Sequence, residues 1–164
     1  MLNDADPQVQ TESIRAIVQI GTPKAYAVLE KALAGSTALR DLIVAQVLGR
    51  RDKKAIPLLC YILNHTTPRG RLAQVHADAV DALGGLSAHP ESTKALRHVL
   101  YRGEWWAPGR TAALRRAAAT ALRRLGSPDA IGVLQEAATA GSRRIRNAAR
   151  PQAELAARRE KERA

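Results

Sequence analysis

The segment Ile20–Leu29 aligns without gaps on Leu125–Leu134, and this internal repetition constrains the fold more than any other feature of the chain. Gly21 and Gly126, Pro23 and Pro128, Ala25 and Ala130, Val28 and Val133, and Leu29 and Leu134 are identical pairs. Ile20/Leu125 and Thr22/Ser127 are near-equivalent. Two fainter copies lie between, from Leu48 and Gly49 through Ala55 to Leu59, and from Leu83 and Gly84 through Ser92 to Leu96. A unit recurring every few tens of residues cannot bury its apolar face alone; it does so against its neighbours in a stack. Such a chain presents surface, and binding a partner is a more natural task for it than chemistry.

Apolar spacing divides the chain into helix pairs. Val9, Ile14, Ile17, Val18 and Ile20 mark the leading helix of the first pair; Ala25, Val28, Leu29, Ala32 and Leu33 mark its second. Gly21 suits the left-handed conformation that closes a helix, and Pro23 suits the first turn of the next. A second pair is expected over residues 38–48 and 54–63, with Pro57 in the first turn of its second helix. Residues 66–70 read as a loop. The third pair spans about 72–83 and 91–101, with Gly84 and Gly85 read as a helix terminator.

In the fourth pair Leu114, Ala117, Ala118, Ala121, Leu122 and Leu125 form one stripe, and Arg115, Arg116, Arg123 and Arg124 project from the opposite arc. Ser142 caps a last helix that turns Ile145, Ala148 and Ala149 inward. Pro151 is expected to end or kink it, leaving a solvated or frayed tail. The aromatic share is only 3%, with no Phe, so small and branched aliphatic side chains must fill the core.

Two helices per unit, a Gly-x-Pro turn between them, and the opening Asp4-Ala5-Asp6-Pro7-Gln8-Val9 resemble HEAT repeats, in particular the bacterial class called PBS-lyase-like HEAT repeats. The resemblance covers about residues 3–150, strongest in the first and fourth units. It implies an all-α, right-handed α-solenoid (an α-α superhelix) of about four HEAT-like pairs plus a C-terminal helix. Its expected units are about 3–35, 36–66, 69–102 and 109–140, with a half unit at 142–150 and a basic tail at 151–164. It implies an armadillo-like protein-interaction scaffold without naming a task.

The charge is uneven. Residues 110–164 hold 13 Lys and Arg against 5 Asp and Glu, which is +8 of the total of +11. Asp and Glu are absent from residues 105–128 and 137–153, where alternating signs would mark an ordinary solvated face. The pair Trp105-Trp106, followed by Arg110, interrupts the link between the third and fourth units and holds both Trp residues of the chain. Trp and Arg dominate interface hot spots. The expected partner-binding set is therefore Trp105, Trp106, Arg110, Arg115, Arg116, Arg143 and Arg146. If second helices line an inner face, as the resemblance implies, Glu30, Cys60, Arg97 and Gln135 form one column on it. Lys31, Tyr61, His98 and Glu136 form the next. Lys31, Tyr61, Arg97 and His98 are the inner-face candidates, and the chemical mixture of these columns argues against a uniform phosphate track.

Signals of catalysis are weak. His65, His76, His89 and His98 pair with no Cys, Asp or Glu at a metal-ligand spacing, so no metal site, cofactor or catalytic residue is assigned. Cys60 sits in an apolar run and reads as a small packed hydrophobe. A lone cysteine excludes an internal disulfide framework and fits a reducing, cytoplasmic setting. No apolar run reaches the ~20 residues of a membrane span.

The expectation is a non-catalytic protein-interaction scaffold, read as a C-terminal module of a longer bacterial protein. Its partner is an acidic protein surface or another domain of the parent chain. It is expected to be a monomer, or a dimer through an uncapped N-terminal repeat. The alternative is a nucleic-acid-binding solenoid using the basic end, with salt-sensitive and non-specific binding. A third reading, a lyase-like or glycosylase-like enzyme, requires a carboxylate or His beside Trp105-Trp106. Glu104, the nearest carboxylate in sequence, reads as a solvated loop charge.

Overall fold

The computed structural model describes residues 2, 4, 6–34, 39, 42–44, 46, 53–70, 72–104 and 106–162. All regular structure among them is helical. The chain divides into two compact units, Met1–Leu58 and Leu59–Ala164.

In the first unit, α1 (Pro7–Ile20) begins where the Asp6 carboxylate accepts a hydrogen bond from the Gln8 amide at 2.8 Å. Such a cap satisfies one of the donors that every helix start leaves free. The helix stops at Gly21, whose φ of 62° is the left-handed conformation expected from the repeat. Pro23 opens α2 (Pro23–Ala34), with the Thr22 hydroxyl accepting from the Ala25 amide at 3.2 Å. The two helices pack on each other, with Ile14, Val18 and Leu29 buried. The segment expected to lead the second pair lies largely outside the described residues; Leu39, Leu42, Ile43, Val44 and Gln46 within it are helical. A 3₁₀ turn at Lys53–Ala55 then leads into α3 (Ile56–His65), which crosses the boundary between units with Pro57 in its first turn.

The second unit adds α4 (Leu72–Gly85), α5 (Pro90–Tyr101), α6 (Pro108–Leu125), α7 (Pro128–Thr139) and α8 (Arg143–Lys161). Leading helix packs on leading helix, α4 on α6 and α6 on α8, while α5 packs on α7; α5 also meets α6, and α7 meets both α6 and α8. This is two-layer stacking of HEAT-like pairs, with α8 in the position of the next leading helix. The repeat punctuation holds here too. Gly126 has φ of 61°, the Ser127 hydroxyl accepts from the Ala130 amide at 3.3 Å, and Pro128 opens α7.

The α6 stripe is wider than its spacing predicts. Leu114, Ala118, Ala121 and Leu122 are buried, but so are Thr111, Arg115 and Ala119. Four neighbouring helices surround α6, so little more than one side of it stays wet. Arg115 consequently does not project from an outward arc.

Two further expectations change. Gly84 does not stop α4, which runs one residue further and ends at Gly85. Gly84 is where α4 meets α6, and a Cβ there would lie 2.8 Å from both Cα and Cβ of Ala121. Pro151 sits inside α8, which runs on to Lys161. Asn147, whose carbonyl loses its helical donor to the proline, is exposed, as is Pro151, so water can solvate that carbonyl. Beyond the proline Ala156 is buried, so the continuation has apolar surface to cover.

Replacing Gly84 with alanine should destabilise the chain by ~1–3 kcal/mol in thermal or denaturant unfolding, because the new methyl meets backbone. Gly85→Ala, whose Cβ would meet nothing within 4 Å, should instead stabilise it by ~0.4–1 kcal/mol.

Candidate interaction surface

The connection from α5 to α6 is held by side chains of α6 itself. The Thr111 hydroxyl accepts from the Glu104 amide at 3.2 Å and donates to the Glu104 carbonyl at 3.3 Å, folding the loop back on the first turn of α6. Arg115 Nε donates to the Leu100 carbonyl at 3.2 Å, satisfying an end of α5 that has no further helical donor. Two more arginines reach the 66–70 loop. Arg102 Nη1 donates to the Thr66 carbonyl at 3.0 Å, and Arg110 Nη1 donates to the Pro68 carbonyl. Trp106 belongs to the same arrangement, with the Arg69 guanidinium 4.5 Å from its ring centroid.

Beneath these loops lies a polar cluster that residue spacing did not reveal. His76 is 2% exposed and Glu104 7%, and with Thr111 and Arg102 they border a cavity of about 20 Å³. His76 Nδ1 is 2.7 Å from the Leu72 carbonyl and therefore carries a proton; Nε2 lies 3.3 Å from both the carbonyl and the hydroxyl of Thr66. Burial lowers the His76 pKa, against the raising effect of its carbonyl partners; the Arg102 charge adds to the lowering, and the Glu104 charge opposes it. Glu104, read from sequence as a solvated loop charge, is buried. Among the described residues its Oε1 has no hydrogen-bond partner, and it faces Arg102 Nη2 at 3.7 Å.

Above the loops, Gly103, Glu104, Thr111, Arg115, Arg116 and Arg144 help to line a groove of about 530 Å³, completed by residues of α6 and α8. Arg115 is 8% exposed. Burial lowers its pKa, and the nearby Arg144 charge lowers it further, though a guanidinium stays protonated across the physiological range. Along α8, Arg143, Asn147 and Arg150 follow one another at helical spacing, all exposed. Among the described residues neither Arg116, Arg143, Arg144 nor Arg150 has a carboxylate partner.

The expected partner-binding residues thus separate. Arg116 and Arg143 are exposed; Arg146 is half-buried and donates to the Gly141 carbonyl at 2.8 Å. Trp106 is 44% exposed. Arg110 and Arg115 are engaged with backbone, and Trp105 lies outside the described residues. Of the other α6 arginines, Arg123 Nε donates to Gln152 at 2.7 Å and Arg124 pairs with Asp81 at 2.5 Å.

On the second helices Lys31 and His98 are exposed and Tyr61 is half-buried, stacked on His65 at 4.5 Å. Arg97 pairs with Glu136 at 2.9 Å and lies 5.5 Å over the Tyr101 ring. Cys60, placed in an exposed column by the repeat alignment, is buried. The Glu30 side chain lies outside what is described. Among the described residues no three His, Cys, Asp or Glu side chains gather as a metal site requires, and no helix is long and apolar enough to cross a membrane.

These features define an all-α helical-repeat protein whose charged surface is carried on rigid stacked pairs. The PBS lyase HEAT-like repeat family model matches two stretches of the chain, residues 9–35 and 114–139. Those matches fall on the pairs α1–α2 and α6–α7. No curated protein matches the chain.

Burial raises the Cys60 thiol pKa to about 12, with the Glu91 charge as a lesser cause. The native chain should therefore resist a thiol reagent at neutral pH, with labelling that tracks global unfolding across a denaturant series. For His76 the lowered folded-state pKa means that the unfolded chain takes up a proton first as pH falls. Its contribution to stability is complete above the ordinary imidazole value and declines below it. Unfolding midpoints measured at about pH 7.5 and about pH 5.5 should fall with acidification. His76→Asn, which keeps a donor near the Leu72 carbonyl, should flatten that dependence. A remainder should persist from His98, whose pKa is lowered first by burial and then by Arg102 and His65.

Proposed function

We propose that the chain is a non-catalytic scaffold for protein–protein interaction and that its docking surface is the basic face formed by α6 and the first half of α8. The observation that carries this reading is the set of exposed guanidiniums at Arg116, Arg143, Arg144 and Arg150, none of which has a carboxylate partner among the described residues. Charges that balance one another within a fold usually reflect solubility or local stability. A run left unbalanced on rigid helices steers an oppositely charged surface and fixes its orientation. The fitting partner is an acidic protein surface, which meets helices whose ordering entropy was already lost on folding.

A nucleic-acid partner would also meet positive charge here. That reading calls for aromatic platforms in the basic groove, and Trp106 has the Arg69 guanidinium over its ring.

A photo-crosslinker in place of Ala112, exposed at the groove wall, tests the proposal. It should capture a discrete acidic protein, and Arg143→Glu with Arg150→Glu should abolish capture while circular dichroism stays unchanged. With the partner purified, the double variant should bind at least about tenfold more weakly, chiefly through slower association that added salt reproduces in the parent chain. Capture of nucleic acid alone, or undiminished capture by the double variant, would overturn it.

A further inference from the structure

We propose that the groove between Gly103 and Glu104, α6 and α8 is a phosphomonoester site that receives a phosphorylated side chain of the protein partner, using Arg115, Arg116, Arg144 and Asn147. This inference rests on the docking reading above and specifies what enters the groove.

The starting point is Arg115. A guanidinium that is 8% exposed would ordinarily face a carboxylate, because burying a charge without compensation is expensive. Among the described residues the Arg115 side chain makes one hydrogen bond, from Nε to the Leu100 carbonyl, and the charge that perturbs it most is another guanidinium, Arg144. No carboxylate lies within ion-pair distance of Arg115, Arg116 or Arg144 among the described residues. Glu104 lines the same groove, but its Oε1 is enclosed and faces Arg102. The groove thus gathers three guanidiniums, and among the described residues its one lining carboxylate, Glu104, is turned to Arg102 instead.

Charge count selects the ligand. With Glu104 turned to Arg102, the three lining cations keep an excess of three, of which one carboxylate would neutralise only a third. A phosphomonoester carries about −1.5 to −2 near neutral pH and offers three acceptor oxygens. Arginine forks match those oxygens in pairs, and the Asn147 amide supplies a neutral donor at the groove wall. A volume of about 530 Å³ leaves room for the chain bearing the phosphate, within the range of about 300–1,000 Å³ usual for ligand pockets.

Calorimetric titration with a phosphoserine pentapeptide amide, its glutamate and serine counterparts, and a single-stranded DNA decamer tests the inference. NMR shifts of the Arg115 Nε–H report where binding occurs. The phosphopeptide should bind at least about tenfold more tightly than the glutamate peptide and shift the Arg115 signal. Arg144→Ala and Arg116→Ala should each weaken it about tenfold, whereas Arg159→Ala should not. Both arginines are exposed, so these variants test the site without unfolding it, whereas Arg115→Ala would also remove the bond to the Leu100 carbonyl. Equal binding of phosphoserine and glutamate peptides would overturn phosphate recognition while leaving an acidic partner standing. DNA binding that Arg144→Ala weakens, with no peptide binding, would overturn both readings. An unmoved Arg115 signal would overturn the site, and the crosslinking result would then report separately on the docking face.

Discussion

Close approach of consecutive leading helices sets the terms for the whole second unit. At Gly84 and Ala121 the backbones of α4 and α6 come so near that a single methyl has no room. A helical hairpin of this size has too little apolar surface to stand alone, so each pair depends on such contact with the next. Alanine and glycine permit it: Ala118, Ala119, Ala137, Ala148 and Ala149 are all buried, and the large buried side chains are mostly Leu and Ile. The near-absence of aromatic residues, odd for a core, follows from helices packed at short range.

Packing four helices against α6 has a second consequence, for polar groups. Loops at the ends of the pairs must pair their carbonyls, and here arginines do it: Arg102 at Thr66, Arg110 at Pro68 and Arg115 at Leu100. A long side chain with several fixed donors suits this work, because it reaches over neighbouring side chains and still meets backbone. The same residue type therefore plays two parts in this unit. Some arginines brace the loops, while Arg116, Arg143, Arg144 and Arg150 face outward without carboxylate partners among the described residues. The groove lies where these two populations meet, which is why a buried and an exposed guanidinium share its lining.

Much of the architecture was legible because repeat punctuation is local. A glycine at positive φ, a hydroxyl cap and a proline in the first turn act within a few residues, so the Ile20–Leu29 and Leu125–Leu134 strings announced their turns directly. The candidate surface was legible only as a charge excess. Whether Arg115 faces water or a helix end depends on how many helices crowd α6, and no spacing rule counts them. Glu104 and His76 were missed for a related reason. His76 lies on α4 and Glu104 in the α5–α6 connection, and they meet only once that loop folds over.

The sequence by itself determined the helical pairs, their turns and the concentration of positive charge toward the C-terminus, since these follow from local conformational preference and composition. Tertiary structure alone decided that Gly84 is a contact and not a stop, and that α8 continues through Pro151 to bury Ala156. It alone also decided which arginines remain available to a partner. Those outcomes depend on what each residue meets from other helices, and that distance-dependent packing has no signature in the order of residues along one of them.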